Sequence, residues 1–329
     1  MITETEPRKT KPNAPAVSPQ PNGNGDTDAT GETLYLTGRP TLKRFLRFVR
    51  HEAIRPEEDA ILIAEWHAAK ERIRVLKKEE AGCCDNPTTT PVAVEGKYEP
   101  LLTEFLKDPL VQNGFNTVPT EVAFVELDSL VVYQKHIDLA FVRELKKTLG
   151  PAPSDEEIFR ACLPYDHPHP PAKWSRRDEK SFVFVSPSCD MRFLKAMPLQ
   201  ARHINGYPHP GSVVGVVGLA VGFGSNFLNA LRYGNRLILN NGSHRAYALR
   251  DMGFTHVPCV VQHVSTRDEL DVVAASAIRH DPDAYFKHPR PSMLKDYFDP
   301  QLRKVMPSHR RIRQITVKFE VEETFIPAL

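Results

Sequence analysis

No stretch of about 18 consecutive apolar residues occurs in the 329-residue sequence, so no membrane-spanning helix is expected. Charge of one sign is scarce as well. Forty-three Lys plus Arg against 41 Asp plus Glu leave a formal +2, which excludes a histone-like polycation but not a local basic patch. Cysteines number five, an odd count without framework spacing, and so point to a reducing compartment. The pair Cys83-Cys84 is adjacent and lacks the Cys-x-x-Cys spacing of zinc or thioredoxin-type redox sites. Met1 to Glu6 is polar and acidic, unlike a secretory signal, and the expected location is cytoplasmic. Gly215, Gly218, Gly222 and Gly224 do not form Gly-x-Gly-x-x-Gly ahead of a helix, so they suit close strand packing better than a dinucleotide. The two tryptophans, Trp66 and Trp174, read as packing residues.

What the sequence does have is 41% hydrophobic residues, enough for a sizeable core, and 29 prolines, close to twice the usual share of about 5%. Residues 1–31 are polar, with five prolines, and predict a disordered tail. A helical region and linker follow over 32–118. The pattern turns helical at Leu34, with Leu42, Phe45, Leu46 and Val49 on one face and Thr41 as cap, and a second helix runs from Pro56 to Glu80. Strand texture starts at Glu121 and continues to Val132, a helix fills Asp138–Leu149 up to Gly150, and residues 151–181 look irregular. Phe182–Val185 and Val213–Val221 read as buried strands, Arg236–Asn240 and Val257–Val264 as further strands, and Ala246–Met252 as a helix between those two. Thr266–His280 predicts one helix and Gln314–Val321 a last strand. Mixed strands and helices mean an α/β or α+β core.

The most informative segment is the strand that runs into Asn240-Asn241-Gly242-Ser243, with a helix opening near His244. Gly242 permits a sharp turn and close approach of a ligand. Ser243 can cap the helix, and a helix start with free N–H groups, followed by Arg245, suits an anion. Local chemistry therefore describes a phosphate-binding loop. A capped helix with a surface arginine fits the same residues.

The segment resembles the signature of the ParB/sulfiredoxin-like superfamily: strand, Gly-x-x-Arg box, helix, then Gly-aromatic and an Ile/Val-Pro strand. Here the box is Gly242-Ser243-His244-Arg245, followed by Gly253-Phe254 and His256-Val-Pro-Cys-Val-Val261. Upstream, Val125-Glu-Leu-Asp-Ser-Leu-Val131 and Phe141–Leu149 are similar to the opening strand and helix of ParB-type domains. The likeness spans about 55 residues in two places. It implies a nucleotide site, ATP or CTP with Mg2+, with Asn241, Gly242, Ser243, His244 and Arg245 on the phosphates. Sulfiredoxins carry a cysteine where Ser243 stands, so sulfinic-acid reduction is not expected. Partition-type CTP-binding members carry Gly-Glu-Arg-Arg. Amino-acid kinases of the superfamily favour Asp-Gly-x-His-Arg, matching all but Asn241, which cannot act as the carboxylate base. Glu126 or Asp128 is the candidate replacement, and His244 completes the candidate catalytic set.

The expectation is thus an α+β protein with a ParB/sulfiredoxin-like mixed-sheet core over 119–265, an insertion at 151–212, and a helix plus Pro-rich segment over 266–329. Its function is nucleotide binding, with small-molecule phosphotransfer or NTP hydrolysis. The alternative is a non-enzymatic, nucleotide-switched regulator or adaptor for DNA or a protein partner. Only 65 residues follow Val264, Pro282, Pro289, Pro291, Pro300 and Pro307 among them, which leaves little room for a helix-turn-helix domain. The basic run at Arg303-Lys304 and His309–Arg313 is offset by Glu320, Glu322 and Glu323, so nucleic acid is not the favoured partner. Asp166-His167-Pro168-His169 has metal-like spacing but sits among prolines with no third ligand, and no metal is assigned. Cys189, Asp190 and Arg192 follow a strand and are candidates to line the pocket, with Gly224–Phe227 as its lip.

Overall fold

A computed structural model describes residues 30–165, 170–188, 190–200, 211, 213–310 and 312–327. Its elements begin with β1 (Thr30–Leu36), α1 (Leu42–Glu52), α2 (Asp59–Glu79), β2 (Thr89–Pro91), α3 (Glu99–Leu106) and α4 (Pro109–Gly114). Next come β3 (Thr120–Glu126), β4 (Val131–Val132), β5 (His136–Asp138), α5 (Leu139–Leu149) and α6 (Asp155–Cys162). Four outer strands follow, β6 (Lys173–Asp178), β7 (Ser181–Ser186), β8 (Met191–Leu199) and β9 (Val216–Phe223). The chain then returns through β10 (Asn229–Tyr233), β11 (Arg236–Asn241), α7 (Ser243–Asp251) and β12 (His256–Val264). It closes with α8 (Arg267–Val273), α9 (Ser276–His280), α10 (Asp283–Phe286), β13 (Arg303–His309) and β14 (Arg313–Lys318).

The apolar, β-branched run Val257–Val264 becomes β12, an inner strand of a six-stranded mixed sheet ordered β2-β3-β12-β10-β11-β4. Almost all of β12 is buried, as expected for a strand covered on both faces. β12 pairs antiparallel with β3 and parallel with β10, while β11 is antiparallel to β10 and parallel to β4. β11 and β12 therefore run in opposite directions, and α7 joins the end of one to the start of the other. The fold is α+β, with helices and mixed sheets sharing one core.

Polar residues inside the sheet explain a break that periodicity does not predict. Asn229 donates to the Val260 carbonyl and to Gln262 Oε1, and Asn240 donates to Asn229 Oδ1 at 2.8 Å. Asn240 also reaches the next layer, donating to the Val273 carbonyl and accepting from the Ala275 N–H at 2.8 Å. That side chain takes over backbone groups a continuous helix would pair internally, so Thr266–His280 divides into α8 and α9.

A second sheet, β13-β1-β5, is antiparallel, with Thr30 opposite His309 and Leu36 opposite Arg303. α1 and α2 pack as the expected hairpin, and the Thr41 side chain accepts from the Arg44 N–H at the start of α1. The 288–299 stretch is fastened by charge. Arg290, 1% exposed, donates to both carboxylate oxygens of Asp296 and to Glu80, and Arg39 joins from the loop after β1.

Several boundaries differ from the sequence reading. Residues 1–29 of the expected tail lie outside the described residues, while Thr30 and Gly31 already belong to β1. Leu34–Leu36, read as part of a helical region, are strand because β13 pairs with them. The expected irregular stretch contains α6, whose Ser154/Glu157 capping box starts a helix that buries Ile158, Phe159 and Cys162 in the main core. β7 and β9 are half-exposed rather than buried. Trp174 is 68% exposed and lies on a surface sheet, not in the core. Among the described residues, no helix is long and apolar enough to cross a membrane.

Candidate functional site

β11 ends at Asn241, and Gly242 turns the chain with φ of 92°, a left-handed conformation that glycine adopts without penalty. A Cβ there would stand 2.6 Å from Leu228 Cδ1, so the turn packs directly on the strand-side core. The Ala246 N–H closes the first helical bond onto the Gly242 carbonyl at 2.9 Å. Gly242 is thus the residue at the cap position and no side chain caps α7; Ser243 is the first helical residue, 4% exposed, and does not cap. The N–H groups of Ser243, His244 and Arg245 precede the first intrahelical donor, as at any helix start.

Arg245 points inward, not toward a phosphate. One guanidinium nitrogen donates to the carbonyls of Cys162 (3.0 Å) and Asn226 (2.9 Å), and the other to Asn226 Oδ1 (2.8 Å). Burial lowers its pKa, against smaller opposing pulls from Cys162, Asp190 and Cys259. Asn241 works on the same segment, donating from Nδ2 to the carbonyls of Ser225 and Phe227. Together Asn241 and Arg245 clasp residues 225–227 against α6. The expected phosphate contacts of both side chains are therefore replaced by internal ones. The physical reason is that 225–227 runs as irregular chain beside the core, and its carbonyls need donors.

His244 stays at the surface of the box, half-buried, with its ring 5.5 Å from Phe141 in an edge contact. Burial, reinforced by nearby His136, pushes its pKa down to about 4, while Asp138 and Asp190 oppose the shift. The imidazole is neutral at pH 7, able to donate or accept one hydrogen bond. A base with so low a pKa is a weak proton acceptor for a hydroxyl. Asp190 and Arg192 both act on Tyr133, and the Tyr133 hydroxyl donates to the Asn240 carbonyl. The Arg192 guanidinium occupies the space a side chain on Gly224 would need. Asp190, Arg192 and the 224–227 segment thus gather near the box. Cys189 lies outside the described residues.

Glu126 and Asp128 do not join them. Asp128 makes a two-pronged ion pair with Arg250 (3.1 and 3.2 Å), which also covers the Phe298 ring. Arg250 is in the last turn of α7, about 10 Å along the helix from Ser243. Glu126 ends β3 opposite His256 and accepts from the Ser129 hydroxyl at 2.5 Å. The two candidate carboxylates therefore serve the far end of α7, and the β3 strand ends there because the chain turns through Leu127–Ser129.

Sequence reasoning also missed residues here. Tyr133, Asn226, Asn229 and Asn240 shape the box, and the two strand asparagines carried a readable signal, since a polar side chain inside an apolar strand run needs a partner. Among the described residues, no group of three or more His, Cys, Asp or Glu side chains is arranged to hold a metal ion. His167 and His169 lie outside the described residues. Asp190 is an exposed acid beside the box, and one carboxylate is the kind of protein ligand a phosphate-bound Mg2+ takes. Searches against protein-family models, curated proteins and solved structures find no match for this chain.

Proposed function

We propose that this chain is a non-enzymatic regulator or adaptor that holds the phosphates of a nucleotide at the start of α7 and changes partner binding in response. The observation that carries the non-catalytic half is the position of the carboxylates. Asp128 is held by Arg250 and Glu126 by Ser129, both at the opposite end of α7 from the box. With Asn241 also an amide, none of the positions expected to supply a base for phosphotransfer puts a carboxylate at the box, and Asp190 beside it is assigned to the metal ion. The nucleotide half is supported by the helix start itself. Its backbone N–H groups, the positive end of the helix dipole and a glycine turn suit an anion. His244 would add a neutral hydrogen bond and Arg192 a cation. Asp190 would be the protein ligand of an Mg2+ that arrives with the nucleotide, supplying charge neutralisation only. The likeness to ParB/sulfiredoxin-like proteins supports the same reading.

The test is a thermal-shift panel of ATP, ADP, CTP and GTP with magnesium on the wild type and on His244→Ala, with phosphate release followed in parallel. Stabilisation by one nucleotide, weakened in the variant and without turnover, is the expected result. No shift at millimolar concentration of any nucleotide sinks the binding half. Phosphate release above background sinks the non-catalytic half.

A further inference from the structure

The sheet β14-β7-β6 stands outside the main core and carries a half-exposed aromatic face. Every residue of β6 is exposed. Pairing places Trp174 opposite Phe184 and Phe184 opposite Ile315, with Arg176 opposite Phe182 and Phe182 opposite Val317 in the next row. Alternate residues of a strand share a face, so these six side chains lie together. The Trp174 ring stacks on Phe184 at 6.2 Å and 24°, lies 6.5 Å from Phe182, and leaves two thirds of its surface in solvent.

Cations outnumber acids around this face. Lys173, Arg176, Arg177, Lys180, Arg313 and Lys318 stand against Asp178 and Glu179 in the three strands and the β6–β7 turn. Asp178 is occupied by the Ser181 hydroxyl and the Lys180 N–H, closing that turn. Arg176 donates to the backbone carbonyls of Asp178 and Glu179 instead of to a carboxylate. Arg177 and Lys318 both hold the Asp178 carboxyl below its usual range, after the turn's own hydrogen bonds, so those two cations lie near one another at the turn.

We propose that this sheet is a binding surface for single-stranded nucleic acid, with Trp174 as the stacking platform and Arg176, Arg177 and Lys180 on the phosphates. An exposed indole on an aromatic floor offers a flat face that a base can cover, and the excess of cations beside it complements a phosphate backbone. A duplex shows its bases only edge-on and would use the cations alone. A peptide added along the open edge of β6 would need neither the indole face nor the positive charge. The surface is separate from α7, so this proposal stands or falls independently of the nucleotide reading.

The experiment uses the full chain and fluorescein-labelled 20-mers of oligo-dT, oligo-U and a mixed-sequence duplex. Anisotropy is measured over a salt series, and indole emission is followed in a Trp66→Phe background, where Trp174 is the one remaining tryptophan. Expected are quenching of Trp174, tighter binding of a single strand than of the duplex, and a loss of affinity with salt at about 0.7 log units per log salt for each phosphate held. Trp174→Ala should weaken binding about tenfold while Trp174→Phe keeps most of it. Arg176→Gln with Arg177→Gln should flatten the salt dependence at an unchanged melting temperature. Comparison of oligo-dT with oligo-U assigns the sugar. Equal binding of duplex and single strand, an affinity indifferent to Trp174→Ala, or no binding of any oligonucleotide overturns the proposal. Should Trp66→Phe fail to fold, anisotropy with the Trp174 variants decides alone.

Discussion

Arg290 and Arg245 are both buried, yet they are held by different chemistry. Around Arg290 are two carboxylates, Asp296 in a two-pronged contact and Glu80 at 2.9 Å, with the Pro291 carbonyl alongside. Burial works to lower its pKa, but the hydrogen bonds and charge of Asp296 and Glu80 prevail and raise it. The hydrogen-bond partners of Arg245 are neutral oxygens, and burial prevails. The first arrangement locks the proline-rich 288–299 stretch to the end of α2 and the loop after β1. The second ties an irregular segment to α6 and α7. A guanidinium with five donors can serve as ion-pair partner or as a connector of stray carbonyls, and the residue type alone does not say which.

The largest expected effect is at the paired site. Asp296→Ala leaves Arg290 and Arg39 buried together without their shared carboxylate, and should cost about 3–5 kcal/mol in chemical denaturation. Arg245→Ala removes donors from the Cys162 and Asn226 carbonyls without stranding a charge, so the loss should be smaller, about 2–4 kcal/mol. If Arg245→Ala proves the costlier of the two, the contrast between the sites is wrong.

Acidity and alkalinity should separate the two regions next. His244 has a folded pKa of about 4, below its ordinary 6.5, so the unfolded chain takes up the proton first. Stability should therefore be unaffected above pH 6.5, fall between 6.5 and 4, and level off below that. His244→Gln should remove that portion of the slope. Lys135, beside the Arg290 cluster, is pushed down to about 8 from 10.5 by burial and then by Arg39. Between pH 8 and 10.5 the unfolded chain again holds more protons, so stability should rise with pH there. Lys135→Met should abolish the rise and raise stability at neutral pH. Denaturant midpoints across the pH range read both windows. Smallest is Gly242→Ala, where a side chain at φ of 92° meets Leu228. A loss of about 1–2 kcal/mol in melting experiments is expected.

What was legible in the sequence was mostly local. The Thr41 cap, the Gly150 stop of α5, and the glycine turn before α7 are each decided within a few residues. Arg245's role was not legible because its partners are 19 and 83 positions away, and a motif records the donor but not the acceptors. The division of α8 from α9 depends on Asn240, which lies on a strand more than 30 residues earlier. α6 was readable in principle from Ser154 and Glu157, but the prolines after it suggested irregular chain. The separation of Glu126 and Asp128 from the box follows from the direction of α7, which only the pairing of β11 and β12 into the same sheet reveals.

The ladder between β1 and β13 bears on how the chain is made. Thr33 and Ser308 share a hydrogen bond across 275 positions, and every residue of β1 is paired within 303–309. A ribosome must therefore release nearly the entire described chain before β1 can complete its sheet, with β5 as an interim neighbour over only three residues. Until then Leu34 and Leu36, fully buried in the finished molecule, lie along an open edge. The time taken to translate residues 37–309 thus sets how long the first strand waits.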